Sequence, residues 1–297
     1  NIRLRDPQDG CPYISFDKCT QVGRVTESGI EDAMQRDNGR ILWADYIRIT
    51  ITDVDFMIIE KQYEWDNIEV TNLQYTSYGP LPEEIKRCIR LYYRLKTELK
   101  GDPDQDLLYM KSKNKLNSIY GMSAQNPVKD SLIFNGRTWE PEGVPIEELL
   151  EKSKKRAFFA YQWGVWTTCW ARYELQSGID LVTEQGGEFV YCDTDSVKYI
   201  GDVDWSEYNE ARKRASEKSG AYATDAKGKR HYMGVYEQEY SEPIEFATRG
   251  AKKYCYRGPD GHLVATVSGV TKREGGPDDD YISGGQELEA RGGFDAF

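Results

Sequence analysis

The residues best suited to chemistry in this chain are Tyr191-Cys192-Asp193-Thr194-Asp195-Ser196. Apolar runs frame them, Phe189-Val190 before and Val197 to Ile200 after, which predicts strand, tight turn, strand. Alternate residues of an extended segment face one way, so Asp193 and Asp195 are expected to project together and Thr194 away from them. Two carboxylates held close together repel unless a cation lies between them. The pair therefore suits a hard divalent ion and phosphoryl transfer. The competing reading is a polar β-turn in which Asp and Thr satisfy backbone groups.

Two further patches have usable spacing. In residues 113–121, Lys113, Asn117 and Tyr120 stand at i, i+4 and i+7 of a predicted helix and share a face. That face sets a cation, an amide and an aromatic plane in a row, matched to a triphosphate, a sugar or backbone oxygen, and a base. Gly121 leaves room beside the ring, while Tyr109, Ser112, Leu116 and Ile119 would pack on the opposite side. An amphipathic surface helix explains the same spacing equally well. In Lys252-Lys253-Tyr254, a strand would put Lys252 and Tyr254 on one side, a cation and a phenol able to grip a phosphodiester backbone. An edge strand guarded by lysines is the alternative.

The elements that must position these patches are of mixed type. Alternation around Ile47, Ile49 and Ile51 predicts a strand, followed by a helical turn capped near Thr52 or Asp53. A further strand is expected over 66–78 and helices over 83–100 and 104–122, separated by Gly101-Asp102-Pro103. Asn135-Gly136 between 132–134 and 137–139 predicts a hairpin within a turn-rich segment. An aromatic-rich helix over 158–175 follows, then strands at 254–256 and 263–267. Residues 1–40 carry little periodicity. The fold class is α+β, with an antiparallel sheet, helices and inserted segments.

Composition narrows the functions. The 297 residues carry a net charge of −11, yet the charge is zoned. Nine basic residues face four acidic ones over 86–115, and six face one over 249–273, as expected of a protein with a polyanion track. Lys86, Arg90 and Arg94 form a basic row on the first of the two helices. Only two histidines are present, and the six cysteines include no Cys-x-x-Cys pair, so a zinc or disulfide scaffold is not indicated. No stretch is apolar enough to span a membrane, and a reducing, cytoplasmic compartment fits.

Three patches in this order resemble family B DNA polymerases, in particular the protein-primed phage and viral branch. The Tyr-x-Asp-Thr-Asp-Ser segment is similar to that family's third polymerase motif, residues 113–121 to its second, and Lys252 to Tyr254 to its Lys-x-Tyr motif; residues 166–173 resemble the helix that precedes the third motif. The likeness runs from about residue 40 to the end. It implies a partial right-hand polymerase: 1–75 the tail of a first terminal-protein-region-like insertion, 76–126 helical fingers, 127–160 a second insertion built on a β-hairpin, 161–258 the palm, and 259–297 the end of the palm and the start of the thumb.

The resemblance also implies roles. Asp193 and Asp195 would be catalytic and hold two magnesium ions, or manganese. Lys96, Lys113, Asn117, Ser118, Tyr120 and Gly121 would bind the incoming nucleotide, and Lys252 and Tyr254 the primer. Primer–template DNA, dNTPs and a terminal protein primer would be the partners, with no membrane, in the cytoplasm of the host if the gene is a phage's. The family's first motif, Asp-x-x-Ser-Leu-Tyr-Pro, has no counterpart here, since Asp17-Lys18-Cys19 and Asp53-Val54-Asp55-Phe56 do not fit it, and no Asp-x-Glu exonuclease motif is recognisable. The chain is thus expected to be a C-terminal fragment, inactive alone in primer extension. A non-catalytic nucleic-acid-binding protein descended from a polymerase is the alternative.

Overall fold

The computed structural model describes residues 1–6, 11–26, 29–31, 33–126, 128, 131–154, 160–239, 245–268 and 284–297. The expected residues Lys272 and Arg273, the start of the helix at 158, and residues 127, 129–130 and 155–159 of the second insertion lie outside that set.

Residues 1–65 are not structure-poor. Strands Met34–Asp37, Arg40–Ala44, Ile2–Leu4 and Tyr63–Trp65 form, in that order, a four-stranded antiparallel sheet. Its core gathers Ile2, Leu4, Ile14, Ile41, Ala44, Ile59 and Tyr63. Tyr63 is fully buried, and its hydroxyl donates to the Ile41 carbonyl at 2.7 Å and accepts from the Ile14 N–H at 3.3 Å. Strands of three to five residues are too short to display alternation, which hid this sheet from the sequence.

Helix α1 (Asp53–Gln62) is longer than the expected turn. It starts as expected at Thr52, whose hydroxyl caps the Asp55 N–H while Asp55 returns a bond to the Thr52 N–H. The strand expected over 66–78 does not form. Only Tyr63–Trp65 pairs, and Ile68, Val70, Leu73 and Tyr75 stay exposed without a partner strand. β-propensity expresses itself only where a neighbouring strand and a buried face are available.

Helices α2 (Glu83–Glu98) and α3 (Asp106–Ser123) pack as a helical hairpin across the Gly101 turn. On α3, Ser112 is buried and Tyr109, Leu116 and Ile119 are half-buried, as the spacing predicts. Strand Leu132–Phe134 pairs with Trp139–Pro141. Asn135-Gly136 therefore opens a four-residue loop rather than a two-residue turn, closed by the Asn135 N–H on the Thr138 carbonyl at 3.1 Å. A short helix α4 (Ile146–Lys154) follows.

The central support is α5 (Tyr161–Glu184), which packs on α1, on α3 and on the hairpin Glu188–Asp193/Ser196–Ile200. Gly164 makes the α3 contact possible: a Cβ there would lie 2.5 Å from the Ala124 Cβ and 3.2 Å from the Ala124 nitrogen. Helix α6 (Ser206–Ser219) ends at Gly220 in the left-handed region (φ 68°). Arg90 of α2 donates to the Ser219 carbonyl at 3.0 Å, placing a cation on that C-terminus. Strand Tyr222–Thr224 pairs with Arg230–Tyr232 and packs on α2. Strands Glu245–Thr248, Lys253–Arg257 and Leu263–Val267 make a three-stranded sheet that contacts α7 (Gly284–Ala290). The chain is α+β with several small antiparallel sheets. Among the described residues no helix is long and apolar enough to cross a membrane.

Candidate functional site

Phe189, Val190, Tyr191, Val197 and Tyr199 are strand formers, and they bring the hairpin strands together with Asp193 opposite Ser196. Thr194 and Asp195 are therefore the turn itself. Thr194 adopts φ 58°, costly for a β-branched residue, and the Asp195 N–H donates to the Asp193 carbonyl at 2.7 Å. This corrects two expectations. Asp195 does not follow Asp193 along one strand, so pleating does not align the acids. Thr194 does not point away either, since its hydroxyl donates to Asp193 Oδ1 at 2.9 Å.

The segment before the third sheet's central strand closes onto this hairpin. Lys252 sits in the turn ahead of Lys253–Arg257, at φ 57°, and not in the strand as expected. Its N–H donates to the Tyr191 hydroxyl at 2.9 Å and its Nζ reaches Asp193 Oδ1 at 2.7 Å. Tyr254 joins through its ring. Tyr191, Phe246 and Tyr254 form a triangle with centroids 5.3–5.5 Å apart. The left-handed turn and the aromatic triangle together deliver the lysine to the acid. Burial opposes ionisation of Asp193, but the bonds from Lys252 and Thr194 outweigh it and hold its carboxyl below the ordinary range. Lys252 is pushed up, chiefly by its bond to Asp193.

On the helical hairpin, Lys96 of α2 faces the same region. Burial, then the charges of Lys113 and Lys100, lower its pKa, while Asp195 pulls it back up. The charges of Lys113 and Asp195 thus both reach Lys96. Lys113 is half-buried and Asn117, Ser118 and Tyr120 are exposed along α3. Ser118 donates to the Asn114 carbonyl at 2.6 Å, and Gly121 opens onto empty space. No hydrogen bond joins α3 to the acid hairpin among the described residues. The basic row of α2 is largely spoken for. Lys86 and Arg90 both pair with Glu83, Arg90 also holds Ser219, and Arg94 lies 3.8 Å from Glu98.

Two features went unread in the sequence. Tyr236 packs against Trp205 and Tyr208, and its hydroxyl lies where a Gly178 side chain would otherwise be. Burial first, then the charges of Asp195, Glu174 and Cys192, push its phenol up to about 12. The other feature is Asp55, buried, which accepts from Arg172 Nη2 at 2.7 Å and Nε at 3.1 Å and from the Tyr13 hydroxyl. This network pins α1 to α5, the helix behind the hairpin. The Thr52–Asp55 spacing was the available signal for half of it.

Can the acids hold a metal? Asp195 is exposed, and Asp193 Oδ1 is occupied by both an ammonium and a hydroxyl. Among the described residues no three carboxylate, imidazole or thiol side chains are gathered for a cation. The residues present do not by themselves fit a divalent ion. Comparison with protein-family models, with curated proteins and with solved structures returned no match.

Proposed function

We propose that this chain is the nucleotide- and primer-handling part of a DNA-directed DNA polymerase of family B type, from the protein-primed branch. The observation that supports the reading is the meeting of sequence-distant motifs: Lys252 on Asp193, with Lys96 feeling the charges of both Lys113 and Asp195. In this reading α2 and α3 belong to the fingers, and α5 with the acid hairpin belongs to the palm. The reaction is attack of a primer 3′ hydroxyl on the α-phosphorus of a dNTP, with pyrophosphate leaving. Lys96 and Lys113 offset the triphosphate charge, and Asn117 and Tyr120 line the space for the new base pair beside Gly121. Ser118 supports that face. Lys252 and Tyr254 hold the primer end without reading its sequence. Magnesium, which the resemblance implies, would need oxygens beyond these two carboxylates, from nucleotide phosphates and a further acid. The compartment is a reducing cytoplasm, the host's if the gene is a phage's, and a terminal protein would be the priming partner.

The Lys252–Asp193 ion pair favours a second reading, in which the acids are structural turn residues of a non-catalytic nucleic-acid binder. Fluorescence anisotropy with a labelled primer–template at low salt tests the shared part. Lys252→Ala should weaken binding about tenfold, the worth of one charge-assisted phosphate contact, and Lys113→Ala should weaken by as much the tightening that a complementary dNTP adds. Unchanged affinity in both variants would refute the reading. Asp195→Asn separates the alternatives in a longer chain bearing a further acid, where a polymerase loses synthesis and keeps DNA affinity while a binder is indifferent. The 297-residue chain alone is expected not to extend a primer, and robust incorporation would show the acid pair to be sufficient.

A further inference from the structure

The hairpin of Tyr222–Thr224 and Arg230–Tyr232, which takes no part in the acid hairpin or in α3, carries a row of rings and cations. Tyr222 stands opposite Tyr232 and Thr224 opposite Arg230, so pleating puts these four on one face. Ala223, on the other face, is buried, and its strand packs on α2. Along the first face the Arg230 guanidinium lies 5.0 Å from the Tyr222 ring centre and the two tyrosine rings are 6.0 Å apart. Lys213 of α6 comes within 5.7 Å of the Tyr232 ring centre. Tyr222 keeps 39% of its surface exposed, and Thr224 and Arg230 are exposed beside it.

The loop between the two strands is stapled by Asp225. Its Oδ1 accepts from the Lys227 and Lys229 N–H groups, each at 2.9 Å, and its Oδ2 meets His231 Nε2 at 3.0 Å. Its carbonyl accepts from the Gly228 N–H at 3.0 Å. The one acid of the loop is therefore spent on the hairpin itself, while Lys227, Lys229 and Arg230 are exposed. Lys229 pairs with Glu237 at 3.1 Å, a surface contact that a phosphate can replace at little cost. Among the described residues neither Lys227 nor Arg230 has a carboxylate partner. The other acids of this region are engaged: Glu217 takes the Tyr232 hydroxyl at 3.3 Å, and Glu210 lies 3.7 Å from Lys213.

We propose that this hairpin face is a docking platform for single-stranded nucleic acid. Bases stack on exposed rings whatever their identity, and the cations beside the rings take the phosphates, so the strand is held without its sequence being read. A duplex keeps its base faces inside its own stack, so only an unpaired strand can use Tyr222 and Tyr232. The stapled loop and the packing on α2 order the platform before the strand arrives, which lowers the entropy lost on binding. The platform shares no residue with the primer grip or the nucleotide face, and it stands whether or not the polymerase reading does.

The test is ultraviolet cross-linking of an oligo-dT of about 12 nucleotides to the whole chain, with the linked peptides mapped by mass spectrometry. Cross-links are expected on Tyr222 or Tyr232, displaced by unlabelled oligo-dT and far less by a duplex of equal length. In anisotropy with the same oligonucleotide, Tyr222→Ala should weaken binding about tenfold, the worth of one stacked base. Lys227→Ala, which removes a side chain with no partner among the described residues, should reduce the slope of log affinity against log salt by about 0.7. Lys252→Ala should leave the hairpin cross-link in place, so failure of the primer grip and failure of this platform are told apart. Cross-links confined to other peptides, equal displacement by the duplex, or unchanged affinity and salt slope in the two hairpin variants would overturn the proposal. Mapping uses the unmutated protein and decides the matter even if Tyr222→Ala misfolds.

Discussion

Replacing Asp55 with asparagine should be among the most damaging single changes to folding. The carboxylate is 6% exposed and accepts from the Thr52 N–H at 3.0 Å, the Thr52 hydroxyl at 2.9 Å, both Arg172 donors and the Tyr13 hydroxyl. An asparagine of the same shape removes the charge and turns an NH2 toward a neighbour that is itself a donor. Breaking a buried ion pair costs about 3–5 kcal/mol. Arg172 keeps 45% of its side chain exposed and can rehydrate, which argues for the lower end, about 3 kcal/mol with the cap included. Urea denaturation followed by circular dichroism should show that loss as a lower midpoint at unchanged slope. Arg172→Met should cost a similar amount, and the double variant less than the sum, by at least about 1 kcal/mol. The pH dependence follows. Burial opposes ionisation of Asp55, yet the bonds from Tyr13, Arg172 and Thr52 hold its carboxyl below the ordinary range. Its contribution is therefore complete above the unfolded value of about 3.9 and is lost as pH falls through the folded one. Asp55→Asn should flatten that part of the acid-unfolding curve. A loss below about 1 kcal/mol, or strict additivity with Arg172→Met, would refute the network argument.

Three other changes probe different layers. Gly164→Ala adds a methyl 2.5 Å from the Ala124 Cβ, so the clash of about 1–3 kcal/mol should exceed the helix-propensity gain of about 1 kcal/mol and lower the melting temperature. Gly121→Ala meets open space, so α3 should gain about 1 kcal/mol in the same melt. Under the polymerase reading that stabilised variant should nevertheless bind primer–template with the complementary dNTP more weakly by anisotropy, and equal affinity would count against a new base pair stacking there. Tyr63→Phe leaves the Ile41 carbonyl and the Ile14 N–H without their hydroxyl partner inside the core and should cost about 1–3 kcal/mol in urea denaturation.

What the sequence disclosed, it disclosed through strong local signals. The period of α2 and α3, the Gly101-Asp102-Pro103 break, and the β-branched and aromatic runs around Asp193 each fix an element with little help from elsewhere. Side-chain direction was harder to read, because it depends on turns. Thr194 and Lys252 both take left-handed backbone that alternation cannot foresee, and this is what puts Thr194 on Asp193 and Lys252 across from it. Charge was misjudged for a related reason. A basic row counted along α2 looks available until Glu83 and the Ser219 carbonyl are found to engage it. The Asp55–Arg172 bridge lay out of reach, since nothing local links two residues so far apart in the chain.

Where α5 meets the end of α3, the Gly164 backbone lies against the Ala124 methyl, the Ser123 hydroxyl and the Ala124 nitrogen. At this point α5 offers no side chain to act as a ratchet or wedge. Any swing of the two-helix arm relative to the acid hairpin must then roll about that point instead of sliding across it, much as a rocker turns on its heel. The lysines of the arm would be carried with that roll, and a single methyl at the fulcrum would push the contact apart.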